Sequence, residues 1–484
     1  MNKFMFYLPQ SRRSRTKYYS FTFFSFARLC APSWLIFFLF FIGIPLFAQQ
    51  AANTETSRRD IIQFGTETEI AGLIQTLRAE NTDSLDNELI TLIQNSRNQR
   101  ILTGVFDFFG EREKTGLEAR AMRAIRERDD ETNETIHSAM QYLGRVKSAE
   151  AVPVIRELLD TEERRFLNTG FRAIGLASSS DRALADDTAE FLVEYYELRE
   201  PGNDNRSVLI NAIGATRSSV GVPMLADIAT NTDERIPLRI AAINALSVIG
   251  DERGLDAILT CVATNDPNVR STAVAALGPF SGSAVNSAIL DGFRDSYYRT
   301  RIAAAQAARE RKFEEAVPFL RFRAERDDVP NVKDEAIRAL GAIANTEAIE
   351  TLESLFAERR NSDRVRVLAI DMLIKNAGGR HFGRLMAELE EARTRNQTTL
   401  YNGLLRVVGE TVIDGNTSEI EGVAQRFMRS GTVIEKLYGL DMALNNNLRE
   451  LREEIITLAR ERNESIARKA RRIAESLGIE IPAE

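Results

Sequence analysis

The apolar positions of this chain recur around a basic residue that returns every 31 to 33 residues, at Arg206, Arg239, Arg270, Arg301, Lys333 and Arg366. Small or aliphatic residues follow three, six and seven positions later, as Ala242, Ala245 and Leu246 do after Arg239. Offsets of three and seven share one face of a helix. Each repeat is therefore expected to contain a helix with a buried stripe, and the fixed period predicts a stacked-helix array.

The other helix of each repeat is indicated by a Val-Pro pair at the start of an apolar run. The prolines of these pairs are Pro153, Pro223 and Pro318. Proline suits the first turn of a helix because its missing N–H has no partner to lose. The glycines expected to end the other helices as left-handed caps are Gly144, Gly175, Gly214, Gly250, Gly278 and Gly341. The pattern predicts an all-α, right-handed α-solenoid of about ten stacked antiparallel helix pairs.

The column five positions after each basic residue is mostly polar and changes its chemistry from copy to copy. Such a position suits a solvent-facing line on the inner side of the array. The candidate partner-binding residues are Asn211, Asn244, Gln306, Arg338 and Asp371.

The basic column admits two interpretations. Acidic residues precede most of its members by three to six positions, among them Asp266 before Arg270 and Asp363 before Arg366. We favour a structural ladder in which these acids and the six basic residues join adjacent repeats through hydrogen-bonded ion pairs. A basic stripe for phosphate or carboxylate ligands stays the alternative.

Residues 267–278 and 331–341 resemble HEAT repeats, and are most similar to the bacterial subclass called phycobilisome-lyase HEAT-like. The resemblance implies the fold but not one function, since that family includes scaffolds, lyases and hydroxylases. Deoxyhypusine hydroxylase needs His-Glu dipeptides, whereas Ser138 follows His137 and Phe382 follows His381. The bilin lyases work inside the cell, which conflicts with the export signal predicted below. HEAT-like DNA glycosylases need a basic groove, and the acidic net charge of this chain argues against them.

The first 48 residues have a different composition. They carry six basic residues and no acid, with an apolar run at 34–47 that ends beside Ala48. This order is typical of an export signal, and the run is short for a membrane span. We expect cleavage after Ala48; an uncleaved anchor in the inner membrane, the only membrane contact expected, is the alternative. Cleavage would remove six positive charges and change the formal charge from −7 to −13, which argues against nucleic acid as a partner.

The rest of the chain offers no constellation for catalysis. Its two histidines, His137 and His381, are far apart in sequence, and no cluster supplies the three or four ligands of a zinc site. We expect a ladder or surface role for His137 and a helix-entry turn at His381. Cys261 is expected to be a buried apolar residue. It would be the one cysteine left after removal of residues 1–48, so that no internal disulfide could form. We therefore predict no enzyme, no cofactor and no metal.

These observations divide the chain into an export signal at 1–48, a short linker at 49–59, an irregular helical cap at 60–129, regular repeats at 130–375, and divergent repeats with a capping helix at 376–484. The aromatic run at 104–109 is expected to fill the core of the cap. The predicted function is a non-catalytic scaffold of the cell envelope that binds a protein or peptide along the inner helices. An enzyme-maturation or lyase-type protein and a purely architectural envelope protein are the alternatives.

Overall fold

The computed structural model describes residues 46–80, 82–199, 203–377, 379–412 and 417–482. The chain divides into two compact units, Met1–Asn53 and Thr54–Glu484, and the second unit contains the repeats. The export signal predicted at 1–48 lies outside the described residues except at 46–48, which belong to the first helix.

Across the described ranges the structure is the predicted all-α solenoid, built from 26 α-helices in 13 successive pairs rather than about ten. The first helices of the pairs are α1 (Leu46–Phe64), α3 (Asp86–Asn95), α5 (Glu118–Arg126), α7 (Val152–Asp160), α9 (Arg182–Leu198), α11 (Val222–Thr230), α13 (Leu255–Val262), α15 (Ser283–Gly292), α17 (Val317–Arg326), α19 (Thr346–Ala357), α21 (Phe382–Thr394), α23 (Thr417–Met428) and α25 (Arg452–Ala459).

The second helices carry the basic column. They are α2 (Glu67–Glu80), α4 (Gln99–Glu111), α6 (Asn133–Arg145), α8 (Arg164–Ser178), α10 (Asn203–Ala215), α12 (Ile236–Ile249), α14 (Pro267–Ala275), α16 (Tyr298–Glu310), α18 (Pro330–Ile343), α20 (Asp363–Ala377), α22 (Thr398–Glu410), α24 (Val433–Asn445) and α26 (Glu464–Leu477). Short 3₁₀ turns precede several first helices, at Ala149–Ala151, Ser219–Gly221, Glu252–Gly254, Glu314–Ala316, Gly379–His381 and Arg449–Leu451, and one at Arg128–Asp130 precedes the second helix α6.

Several helices begin where the sequence predicts a start. The prolines of the Val-Pro pairs occupy the first turns of α7, α11 and α17. The Asp266 side chain caps α14 by accepting hydrogen bonds from the N–H groups of Asn268 and Val269, at 2.9 and 3.0 Å. A capping carboxylate satisfies N–H groups that have no partner within the helix.

The core follows the predicted columns. The alanines three positions after the basic residues (Ala242, Ala273, Ala304, Ala336 and Ala369) are fully buried. Small side chains there let neighbouring second helices approach closely. In the N-terminal repeats Phe106, Phe108 and Phe109 of α4 are also buried, as expected of the aromatic run. Residues 60–129, which we expected to form an irregular cap, are themselves arranged as helix pairs.

The glycines have a different role from the one predicted. Of the six glycines expected to be left-handed caps, only Gly250 takes that conformation, with φ of 68°. Gly144, Gly175, Gly214 and Gly341 lie within second helices against the next second helix, so close that an added Cβ at Gly175 would be 2.4 Å from the carbonyl oxygen of Ala212. Glycine is thus required for close packing between repeats rather than for backbone conformation.

Consecutive second helices contact one another more extensively than consecutive first helices do. Within residues 54–484, the second helices therefore form the inner side of the array and the first helices the outer side. No helix of the described ranges is both long and apolar enough to cross a membrane.

Candidate binding surface

Four of the six basic residues of the column make an ion pair with the next repeat, and Arg301 of α16 illustrates the geometry. Its guanidinium donates to both carboxylate oxygens of Asp327, at 2.8 and 2.9 Å, and to the carbonyl oxygens of Asp295 and Ser296, both at 3.1 Å. Arg301 thereby joins the turn before its own helix to the turn before α18. Burial by itself raises the pKa of Asp327, but the hydrogen bonds from Arg301 and the Val329 N–H and the nearby guanidinium charges outweigh it, so that this pKa lies below its ordinary value.

The same link recurs along the second helices. The pairs are Arg206–Glu234 at 2.7 Å, Arg270–Asp295 at 2.6 Å, Arg366–Glu388 at 2.6 Å and Lys436–Glu461 at 2.8 Å. In each pair the acid lies 22 to 28 residues after the cation, in the next repeat. Sequence inspection missed Lys436 because the repeats beyond 375 are divergent. The steps of 35 residues from Arg366 to Tyr401 and from Tyr401 to Lys436 would have pointed to it.

The acids expected to complete the ladder have other positions. Asp266 caps α14, and Arg270 pairs with Asp295 instead. Asp363 lies in the first turn of α20, while Arg366 pairs with Glu388. The reason is geometric: an acid three or four residues before the cation sits at the helix start, whereas the guanidinium extends toward the following repeat.

In two members of the column, the hydrogen bonds seen in the described residues go to a carbonyl oxygen and not to an acid of the next repeat. Arg239 Nε donates to the oxygen of Ala229 at 2.9 Å, and Lys333 Nζ donates to that of Glu325 at 2.9 Å. Both acceptors lie near the end of the preceding first helix, where carbonyl groups lack helical partners. A donor used in this way is not available to a ligand, which argues against the basic stripe.

The line five positions beyond the ladder faces the inner side for most of its length. Asn211 and Asn244 are exposed, and Gln306 and Arg338 are half-buried. Asp371 departs from the expected exposure, since it is 5% exposed and pairs with Lys375 at 2.8 Å. On the same helix, α20, Leu368 and Met372 are half-buried, so the more exposed positions lie beside Asp371 rather than at it.

We define the inner line of a helix as the residue of this column together with those four positions before and after it. Along α10, α12 and α14 the inner line contains no charged residue and is exposed or half-buried throughout. Its members are Ser207, Asn211, Ala215, Ile240, Asn244, Val248, Ser271, Ala275 and Pro279. We call these nine residues the neutral segment.

The two asparagines of the neutral segment have free carboxamides: no described residue hydrogen-bonds to the side chain of Asn211 or Asn244. A carboxamide offers two N–H donors and a carbonyl acceptor, the same groups as a peptide backbone. Beside them Val248, in the last turn of α12, is 48% exposed. The neutral segment thus combines unused hydrogen-bonding groups with apolar area.

From α18 to α22 the inner line becomes charged. Each of the three helices has one acidic and one basic residue on this line: Asp334 and Arg338, Asp371 and Lys375, and Arg406 and Glu410. Arg338 pairs with Glu335 at 3.3 Å, Arg406 with Glu410 at 3.0 Å, and Lys375 with Asp371. We call this stretch the charged segment.

The histidines and the cysteine lie apart from this surface chemistry. His137 Nδ1 is 2.9 Å from the Thr169 hydroxyl, and burial lowers its pKa. His381 ends a 3₁₀ turn before α21, as expected, and burial lowers its pKa despite Glu353 at 3.7 Å. The buried Cys261 thiol donates to the Ala229 oxygen at 3.2 Å. No group of three or more His, Cys, Asp or Glu residues in the described ranges could hold a metal ion.

Comparison with known proteins identifies one family. The sequence model described as "Spirochaete HEAT repeat protein" matches residues 62–473. No curated protein matches the sequence.

Solved structures with a similar arrangement include Kap121p, with 11% sequence identity and a TM-score of 0.44 over 90% of this chain and 54% of that chain. Kap121p bound to the extreme C-terminus of the protein phosphatase Cdc14p gives 12% identity and a TM-score of 0.43, covering 90% and 55%. Importin beta gives 12% and 0.37, covering 90% and 71%. The chain thus spans about half the length of Kap121p.

Proposed function

We propose, from the premise that this chain belongs to the spirochaete HEAT repeat family, that it is a non-catalytic scaffold which binds a protein or peptide along its inner helices. The observation that carries the proposal is the neutral segment. Its two asparagine carboxamides have no hydrogen-bond partner within the described chain, and Val248 is 48% exposed.

The spacing of the neutral segment suits an extended peptide. Packed helices lie about 8–10 Å apart, and an extended chain advances about 3.3 Å per residue. Asn211 and Asn244, on neighbouring second helices, would therefore meet every third residue of a peptide that runs along the array. Recognition of the backbone by carboxamides tolerates different side chains, while Ile240 and Val248 supply apolar contact area.

We further propose that the protein acts in the cell envelope, with residues 1–48 removed during export or kept as an anchor. The support is the composition of that segment: basic residues, an apolar run and small residues after it. The similarity to the phycobilisome-lyase HEAT-like subclass remains a prediction.

Photo-crosslinking in the producing cells tests the proposed surface. A benzoylphenylalanine placed at Asn211 or at Asn244 is expected to give a discrete adduct of higher mass. Glu157 and Glu190, which are exposed on the outer helices α7 and α9, are the matched control positions. Equal crosslinking from inner and outer positions would favour the purely architectural alternative over a defined ligand.

A double substitution, Asn211→Ala with Asn244→Ala, is expected to abolish the adduct formed from a crosslinker at Val248 while the helical melt is unchanged. An undiminished adduct would refute the role of the carboxamides. A substrate or prosthetic group recovered in the adduct would instead favour the enzyme-maturation or lyase-type alternative.

A further inference from the structure

Three arginines surround a groove of about 280 Å³ on the inner side, between α18, α20 and α22. They are Arg338, Arg364 and Arg406, and we call the site the arginine groove. Val367 and Leu368 of α20 form its floor. The groove is continuous because Gly403 lets α22 approach: a Cβ at that position would be 2.7 Å from Val367 Cγ2.

Each arginine of the groove is held by a carboxylate of the chain. Arg364 Nε donates to Asp334 Oδ2 at 3.0 Å, Arg338 Nη1 to Glu335 at 3.3 Å, and Arg406 Nη1 to Glu410 at 3.0 Å. The three arginine side chains nevertheless keep 42%, 57% and 43% of their surface exposed, for Arg338, Arg364 and Arg406 in turn. A guanidinium has five N–H donors, so each one retains donors for a ligand while its carboxylate fixes its orientation.

A buried acceptor in the wall of the groove lacks a donor. Asp334 is 5% exposed, and its Oδ1 atom has no hydrogen-bond partner in the described part of the chain. Most buried polar atoms are paired, and a buried carboxylate oxygen without a donor costs free energy. Because that atom has almost no accessible surface, it does not offer an acceptor to a ligand in the groove.

The charge around the groove is nearly balanced. Besides the three arginines it includes Asp334 and Asp363 in the lining, with Glu335 and Glu410 behind it. Nucleic acid binds to a surface with an excess of positive charge, which this groove does not have. The groove suits a ligand with one or two carboxylates and an apolar part.

We propose that the arginine groove binds an aspartate or glutamate side chain of an extended partner peptide, with a neighbouring aliphatic side chain on the Val367–Leu368 floor. The carboxylate accepts from the free N–H groups of the three arginines. This inference rests on the proposed function, which it sharpens by naming an acidic-aliphatic segment as the partner's chemistry. It also explains why the charged segment follows the neutral segment on one continuous surface.

Binding of a synthetic peptide tests the proposal. The probe is a fluorescein-labelled peptide in which glutamate and leucine alternate with serine, and the reference peptide has glutamine in place of glutamate. Fluorescence anisotropy is expected to show tighter binding of the glutamate peptide. Arg338→Gln with Arg406→Gln should weaken it at least tenfold, because a hydrogen bond to a charged group contributes about 1.5–3 kcal/mol and 1.4 kcal/mol is a factor of about ten.

The matched control removes two arginines that also pair with local acids. Arg253 and Arg360 are 64% and 85% exposed and contact Asp251 and Glu358. Arg253→Gln with Arg360→Gln should leave the affinity for the glutamate peptide within about twofold, since distant exposed charges are screened. An unchanged helical melt of both double variants excludes unfolding as the cause.

Three results would overturn the proposal: equal affinity for the glutamine peptide, equal loss in the control variant, and displacement of the peptide by inorganic phosphate at equal concentration. The last would identify a general anion site. Crosslinking from Asn244 does not depend on these arginines. Persistent crosslinks without peptide binding would therefore refute the groove alone, whereas absent crosslinks with specific peptide binding would refute the role of the neutral segment.

Discussion

At the scale of single residues, the ladder cations contribute most to stability where they are fully buried. Arg301 is 6% exposed, and the side chain of Asp327 is completely buried. Arg301→Ala would leave that carboxylate without its bidentate partner, which typically costs about 3–5 kcal/mol. We expect a corresponding fall in the free energy of unfolding, measured by urea denaturation followed by circular dichroism.

Arg253→Ala is the matched control, because Arg253 also pairs with an aspartate but is 64% exposed. Its effect should stay within about 0.5 kcal/mol. Adding Asp327→Asn to Arg301→Ala should restore part of the loss, since an amide is less costly to bury than a charge. Equal effects of the two arginine variants would show that the ladder is not a major source of stability.

The cations of the ladder as far as Arg366 could be predicted from the sequence, and their partners could not. The period displays the cations directly. The acids lie 22 to 28 residues away in the next repeat, as Asp327 does from Arg301, and nearer acids such as Asp266 compete for the same assignment. Only the folded geometry shows that the nearer acid caps its helix while the distant one meets the guanidinium.

At the scale of helices, the glycines show that one sequence signal can have two physical origins. A glycine after an apolar run is typical both of a helix cap and of a close helix contact. Here Lys147, Arg217 and Lys312 take the left-handed conformation instead, with φ of 52°, 59° and 50°. The helices and their buried faces were thus predictable, but the reason for the glycines was not.

Gly175→Ala is expected to destabilise the protein by about 1–3 kcal/mol, the usual cost of overpacking, because the new methyl group would collide with the Ala212 carbonyl on α10. Gly422 of α23 is the control, since a Cβ there meets nothing within 4 Å. Gly422→Ala should stabilise its helix by about 0.5–1 kcal/mol. Thermal melts of the two variants that shift in the same direction would contradict the close-contact role.

At the scale of the whole array, the period predicts that one surface runs along the second helices. It does not predict how the charge of that surface changes from repeat to repeat. The neutral segment is visible in the polar column once the repeats are aligned. The charged segment was only partly predictable, because Arg406 and Glu410 belong to a divergent repeat and Asp371 is buried where its column predicts exposure. The period alone does not show which member of a column the neighbouring helices cover.

The stacked architecture also predicts that a destabilising substitution affects mainly the adjacent repeats, because each helix pair contacts mainly its neighbours. In hydrogen exchange followed by mass spectrometry, Arg301→Ala should accelerate exchange in α14–α18, and Gly175→Ala should accelerate it in α8–α10. Each variant should leave the other's region near the wild-type rate, so that the two serve as controls for one another. Faster exchange throughout residues 54–482 in either variant would mean that the array opens as one cooperative unit, and that the ladder couples every repeat rather than adjacent ones.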